Sequence, residues 1–295
     1  MAYTVDNAVI MAAGYASRFM PLSYETPKGL LRVRGEVLIE RQIRQLREAG
    51  VDDVIVVTGY KAESFSYLKD AFGVKLVHNP EYDVRNNHAS LYAVRDVLAN
   101  TYICSSDNYF TENPFTKTVD DAYYAAVYAE GKTSEWCITA DADGYIDTVR
   151  IGGQNTWYML GHVFWSAPFS RTFVRILEQI YDEPETAGLL WESIFMRHLD
   201  ELKMRIRRYA PDVIFEFDTL DELRSFDRSY FDNTRSEIVR SLARQLDCAE
   251  HEMTDFRPAN RMHNGAFSFL LRGKRYCVQL DAQGKAVILP KDSAD

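Results

Sequence analysis

The 295-residue chain predicts an α/β protein with a mostly parallel, doubly wound sheet, and three observations carry that prediction. Short apolar runs of strand length alternate with helical periodicity through the N-terminal third. The middle changes to closely spaced strand-like segments, an inserted β region. The end carries one amphipathic helix and then short alternating strands, a small α+β appendage.

Residues 8–11 (AVIM) form an unbroken apolar run, the kind a parallel sheet buries on both faces. Ala12, Ala13 and Gly14 then let the backbone turn with nothing bulky in the way. A brief strand at 30–33 and a turn at Arg34-Gly35-Glu36 come next. Residues 38–49 place Leu38, Ile39, Ile43 and Leu46 on one helical face, with Gly50 as a stop signal. Residues 53–57 are a second buried strand, 61–72 a helix, 75–78 a third strand, 88–98 a helix and 101–105 a strand. This alternation implies a Rossmann-like sheet with ligands beyond the carboxyl ends of its strands.

In the middle, 123–129, 135–140 and 145–151 read as short strands, with Asp143-Gly144 as a hairpin turn, and 158–165 as another strand. Helices are expected at 169–181 and 187–202, and strands at 203–209 and 213–217. A helix at 233–246 repeats Ile238, Leu242 and Leu246 on one face. Strands at 266–271, 275–280 and 286–289 complete a small meander. The expected division is a main domain over 1–232 and the appendage over 233–295.

Hydrophobic residues make up 46% and aromatics 13%, enough for a packed core and against disorder. A net charge of -9 excludes a general nucleic-acid or anionic-membrane binder while leaving room for local basic pockets. Cys104, Cys137, Cys248 and Cys277 are too scattered for a zinc site or a disulfide framework. With no signal-like start and no membrane-length apolar run, a cytoplasmic location without a membrane span is expected. His78, His88 and His162 read as structural.

The turn at Ala12-Ala13-Gly14 exposes successive N–H groups that can cradle phosphate oxygens, while Arg18 and Lys28 supply positive charge. Asp107 stands where the 101–105 strand ends. In Glu216-Phe217-Asp218, period-two alternation puts both acids on one side and Phe217 into packing. An Asp at a strand end is most often a turn residue or cap, and Asp218 could cap a helix over 219–226.

Gly14, Arg18, Pro21-Leu22 and Pro27-Lys28 at these separations resemble the signature of nucleotidyltransferases that join a nucleoside monophosphate to a phosphorylated small molecule. That signature usually has a second Gly where this chain has Ala16. The segment 8–228 resembles the bacterial CTP:phosphocholine cytidylyltransferase family, through VTGY at 57–60, NN..SLY at 86–92, SSDNY at 105–109, SEW at 134–136 and FEFDTLDEL at 215–223.

The resemblance implies an enzyme that uses CTP, Mg²⁺ and a small phosphorylated or phosphonate amine. By it, the backbone of Ala12, Ala13 and Gly14, with Arg18, holds the triphosphate. Lys28 lies near the reacting centre, and Asp107 and Asp218 are the metal carboxylates. Thr58, Gly59, Asn87 and Ser90 surround the base and ribose. For the acceptor amine, aromatic faces and carboxylates suit a quaternary ammonium, and Tyr128, Trp136, Trp191, Glu192 and Glu216 are the candidates. Leu190 stands where choline-specific relatives commonly have tyrosine, which keeps phosphoethanolamine and 2-aminoethylphosphonate as alternative acceptors. A non-catalytic nucleotide sensor and a sugar-phosphate nucleotidyltransferase are the competing readings.

Residues 238–280, with HNGAFSFLLRGKRYCVQL, resemble the start of a bacterial choline kinase without its catalytic loop. The appendage is therefore expected to be a structural cap, an oligomerisation element joining copies of the chain, or a vestige.

Overall fold

The computed structural model describes residues 2–259 and 265–290. The chain forms two compact units, Met1–Gly14 with Leu38–Glu216, and Tyr15–Val37 with Phe217–Asp295. These units cut the chain elsewhere than residue 232, since the segment around Lys28 and the residues after Glu216 join the C-terminal part.

The first unit is built on a seven-stranded sheet in the order Arg205–Tyr209, Tyr123–Ala140, Ile146–Trp165, Thr101–Ser105, Asn7–Ala12, Val54–Thr58, Lys75–His78. Four of its six pairings are parallel, which makes the sheet mostly parallel as expected. Ala8, Val9, Ile10 and the run Val54–Val57 are buried, the consequence of a central strand covered on both faces. Helix Leu38–Glu48 buries Leu38, Ile39, Ile43 and Leu46, the four positions its periodicity singled out. Trp165, Phe169, Phe173, Trp191 and Phe195, with Tyr124 and Tyr181, form the aromatic part of the core.

The inserted region differs from its expectation. Four short strands are two long ones, Tyr123–Ala140 and Ile146–Trp165, paired antiparallel. Register shifts between Ala129 and Lys132 and between Thr133 and Trp136 interrupt the ladder, and Gly131, Gly152 and Asn155 have positive φ. Bulge residues of this kind look like turns in a sequence while leaving the strand continuous. His162 is buried in a ring of Tyr102, Phe110, Phe115, Tyr123 and Tyr209, and burial pushes its imidazole down to about 3. It is a structural residue.

The second unit contains short turns of helix at Leu22–Glu25 and Lys28–Leu30, the hairpin Arg32–Val33/Glu36–Val37, and helices Leu220–Phe226 and Glu237–Leu246. Its sheet has four antiparallel strands, one more than expected: Met253–Pro258 precedes Ala266–Leu271, Lys274–Leu280 and Ala286–Ile288. The extra strand escapes a sequence reading because Asp255, at positive φ, bulges it and charges and a proline dilute its pattern. His263 and Asn264, at the start of the kinase-like stretch, lie outside the described residues. Among the described residues, no helix is long and apolar enough to cross a membrane, and the four cysteines are free thiols.

Candidate active site

In the first unit, Ala12 pairs in register with Thr58, so two strand ends lie side by side. Beyond them Tyr60 N–H donates to the Ala13 carbonyl at 3.0 Å. Gly59 leaves no room there: a Cβ would lie 2.8 Å from that carbonyl oxygen and 2.5 Å from the Tyr82 Cβ. Gly14, by contrast, faces open space. The backbone of Ala12, Ala13 and Gly14 therefore ends on a surface walled by Thr58 and Gly59, at the carboxyl ends of parallel strands. Thr58 itself is buried, its hydroxyl on the Val77 carbonyl at 3.4 Å. Tyr82, packed over Gly59, had no motif to announce it.

The next residues belong to the second unit. Ala16 takes the left-handed conformation, φ 49°, at the position where a glycine is usual. Arg18 Nη1 is 2.7 Å from Asp218 Oδ2, and Lys28 Nζ is 3.4 Å from Asp218 Oδ1. The two cations differ in setting: the Lys28 side chain is 9% exposed and that of Arg18 70%. Asp218 does not cap the following helix. Thr219 does, accepting from Glu222 N–H at 3.2 Å, while Glu222 Oε2 takes the N–H groups of Asp218 and Thr219 in a capping box. The box leaves the Asp218 carboxylate for the two cations.

Asp107 stands in the turn between Thr101–Ser105 and Asn108–Phe110, in the first unit. Gln42 clamps that turn, its Nε2 donating to the carbonyls of Ser105 at 2.8 Å and Asn108 at 2.9 Å. A glutamine among the apolar residues Leu38, Ile39, Ile43 and Leu46 was its trace in the sequence. Strand Ile214–Glu216 pairs antiparallel with Asn108–Phe110, putting Glu216 opposite Asn108, whose Nδ2 donates to Glu216 Oε2 at 3.4 Å.

A polar and aromatic cluster surrounds Glu192, also in the first unit. Its carboxylate accepts from Asn87 Nδ2 at 3.1 Å and from the Tyr124 hydroxyl at 3.4 Å, while Asn87 Oδ1 accepts the Trp191 N–H at 2.8 Å. Burial pushes the Glu192 carboxyl up to about 7, outweighing the bonds from Asn87 and Tyr124 that favour its ionised form. Burial first, then the charges of Glu192 and Glu216, raise the Tyr124 phenol well above its ordinary value. Two carboxylates thus act on one tyrosine, a residue the sequence reading missed because Tyr124 lies in a run of strand aromatics.

Of the remaining candidates, Trp191 and Asn87 adjoin Glu192, and Tyr128, Trp136 and Ser90 make their contacts elsewhere. Trp191 is 2% exposed, stacked on Tyr124 at 5.7 Å and edge-on to Trp165 at 5.2 Å, so its ring supports Glu192 from within the core. Ser90 is buried and takes Asn79 Nδ2 at 3.3 Å. Tyr128 lies on the long hairpin with its ring edge-on to Trp157, and Trp136 packs partly buried against the core, opposite Ile151 in the ladder. Asn87, expected near the base and ribose, makes its hydrogen bonds to the Trp191-Glu192 pair.

Among the described residues no group of three or more His, Cys, Asp or Glu side chains could hold a metal by itself. Magnesium does not need one: it typically takes one or two carboxylates, with substrate phosphates and waters completing its shell. Carboxylates such as Asp107 and, separately, Asp218 carry hard oxygens of the kind it prefers.

A model of the MobA-like NTP transferase domain matches residues 8–143. The choline-phosphate cytidylyltransferase of Streptococcus pneumoniae is 34% identical over 221 residues, 75% of this chain and 96% of that protein. The 2-aminoethylphosphonate cytidylyltransferase of Lancefieldella rimae is 36% identical over 228 residues, 76% of this chain and 93% of that one. The solved structure of the CTP:phosphocholine cytidylyltransferase from Streptococcus pneumoniae superposes with a TM-score of 0.73 at 33% identity, covering 77% of this chain and 99% of that one.

Proposed function

Because the chain belongs to the nucleotidyltransferase family of the choline-phosphate and 2-aminoethylphosphonate cytidylyltransferases, we propose that it transfers CMP from CTP to phosphocholine, forming CDP-choline and pyrophosphate. The observation that carries this reading is the reach of the likeness, 96% of the choline-phosphate enzyme's length, well beyond the nucleotide-binding front half. The Glu192, Glu216 and Tyr124 cluster is the acidic and aromatic chemistry that a cationic amine needs.

An oxygen of the acceptor phosphate attacks the α-phosphorus of CTP in line. The new P–O bond forms as the bond to the β-phosphate breaks, and pyrophosphate leaves with the electron pair. A phosphate monoester has its second pKa near ~6, so the attacking oxygen is ionised at neutral pH and no general base is required. The backbone of Ala12, Ala13 and Gly14 positions the phosphates, and Arg18 and Lys28 stabilise the charge that grows on the leaving group. Mg²⁺, when bound, neutralises the triphosphate; Asp107 and Asp218 are the residues that would hold it.

Leu190 favours a second acceptor class. A tyrosine there would offer an aromatic face to a methylated ammonium, and leucine offers none. A primary ammonium instead donates N–H to carboxylates such as Glu192, which fits 2-aminoethylphosphonate or phosphoethanolamine. Pyrophosphate release measured with CTP and each of the three acceptors decides. Highest turnover with phosphocholine supports the main reading, a preference for 2-aminoethylphosphonate replaces the acceptor and keeps the chemistry, and binding of CTP without turnover would leave a sensor. We place the reaction in the cytoplasm, where CTP is made.

A further inference from the structure

The segment carrying Arg18 and Lys28 has little regular structure of its own. Lys28 opens a three-residue 3₁₀ turn, Lys28–Leu30, and the helix before it, Leu22–Glu25, has four residues. Elements this short do not hold themselves in water. Both flanks of Lys28 are instead tied to residues after Phe226. Upstream, Glu25 Oε1 accepts the N–H groups of Glu237 at 2.8 Å and Ile238 at 3.3 Å, the first amides of the ten-residue helix Glu237–Leu246. A carboxylate at that end also suits the helix dipole. Downstream, the Arg32 carbonyl accepts from the Tyr230 hydroxyl at 3.0 Å and from Arg235 Nη1 at 2.6 Å. Arg34 N–H donates to Asp227 Oδ2 at 2.7 Å, and the Arg34 guanidinium lies 3.8 Å from the centre of the Phe226 ring.

Arg235 is itself fixed, with Nη2 on Ser229 Oγ at 2.8 Å and its guanidinium over the Tyr230 ring at 4.1 Å. Between the two segments a cavity of about 140 Å³ opens, lined by Leu22, Glu25, Leu30, Leu31, Tyr230 and Ser236. Close packing is incomplete there, so the polar ties add to the burial of Phe19, Leu22 and Val33 in setting the position of the loop.

We infer that residues 226–238 brace the segment 15–37, with Glu25 and Arg235 as positioning residues that hold Lys28 and Arg18 toward Asp218. This gives the start of the C-terminal appendage a role in phosphate binding. The consequence for catalysis rests on the proposed function, in which Arg18 and Lys28 serve CTP; the brace itself does not.

Two measurements on the full-length protein keep these apart. In Glu25→Ala and in Arg235→Ala, amide hydrogen exchange over 15–37 should speed up while exchange over 101–110 stays as in the parent. Glu25→Gln, which keeps an acceptor oxygen, should restore most of the protection. In turnover assays, Glu25→Ala should raise the KM for CTP about tenfold, as misplaced phosphate-binding groups do, and leave the acceptor KM within about twofold. Unchanged exchange over 15–37 in both alanine variants overturns the brace. Faster exchange with an unmoved CTP KM overturns the positioning role. If the parent turns over no acceptor, the functional reading fails and the exchange data alone decide the brace.

Discussion

Asn87 holds Glu192 and the Trp191 backbone at once, through Nδ2 at 3.1 Å and Oδ1 at 2.8 Å. One amide therefore orients a carboxylate and fixes the start of helix Trp191–Arg197. Tyr124 completes the arrangement, donating to Glu192 while its ring stacks on Trp191. Glu192 has a defined direction, which a carboxylate must have to discriminate among amines of different substitution.

Asn87→Ala removes both bonds and leaves the Trp191 N–H and the Glu192 carboxylate to reorganise. Losing hydrogen bonds to partly buried groups costs about 1–3 kcal/mol. The acceptor KM should rise about tenfold, the equivalent of about 1.4 kcal/mol, with a smaller change for CTP. Initial-rate kinetics with each substrate varied in turn check this; an effect confined to CTP would return Asn87 to the base and ribose.

Glu192 predicts a pH dependence. Its carboxyl lies at about 7 in the fold against an ordinary 4.5. Between those two values the folded protein binds a proton that the unfolded chain has released, so this group's contribution to stability falls as pH rises across that window and is level above it. Glu192→Gln should therefore flatten the decline of thermal stability between about pH 4.5 and 7. A cationic acceptor needs the ionised form, so the parent's kcat/KM for acceptor should climb through about pH 7, while the Gln variant should keep only the rise near about pH 6 that belongs to the acceptor phosphate. Melting curves and pH–rate profiles of the two proteins make the comparison.

The middle of the central sheet was legible because its inner strands are buried on both faces and so carry no polar interruption: Ala8–Ile10 and Val54–Val57 can be read directly as apolar runs. The long hairpin was not, since its bulges place Gly131, Gly152 and Asn155 where a turn is equally consistent with the pattern. Strand-end acids were visible as residue types, and the alternation around Phe217 gave the buried position of that ring. Contacts such as Gln42 to the Asp107 turn, or Glu25 to the first amides of Glu237–Leu246, join residues far apart in the chain. No local pattern encodes them.

Lys28 and Arg18 share Asp218 but should not be equivalent. Lys28 is nearly buried, where a charge acts through a low dielectric, and Arg18 is mostly in solvent. Lys28→Ala should lower kcat by about 10²–10³, the range for removing one group that stabilises transition-state charge. Arg18→Ala should act chiefly on the KM for CTP. Steady-state rates, with far-ultraviolet circular dichroism to confirm folding, test the ranking; equal effects would remove the distinction that burial implies.

Gly59 tests how closely the first two strand ends must meet. An alanine Cβ would approach the Ala13 carbonyl oxygen to 2.8 Å, and that atom is backbone and already receives Tyr60 N–H at 3.0 Å. Rotation could move the Tyr82 Cγ aside but not its Cβ, 2.5 Å from the added methyl, and the carbonyl can move only by shifting the Ala13-Gly14 backbone. Gly59→Ala should thus cost about 1–3 kcal/mol of stability, as overpacking does, and weaken CTP binding through the displaced loop. Adding Tyr82→Gly, which removes both the Cβ and the Cγ that the new methyl meets, should relieve the side-chain clash without restoring CTP affinity, because the carbonyl contact remains. Chemical denaturation and CTP titration of the single and double variants separate the two contacts; full recovery of affinity in the double variant would assign the constraint to Tyr82 alone.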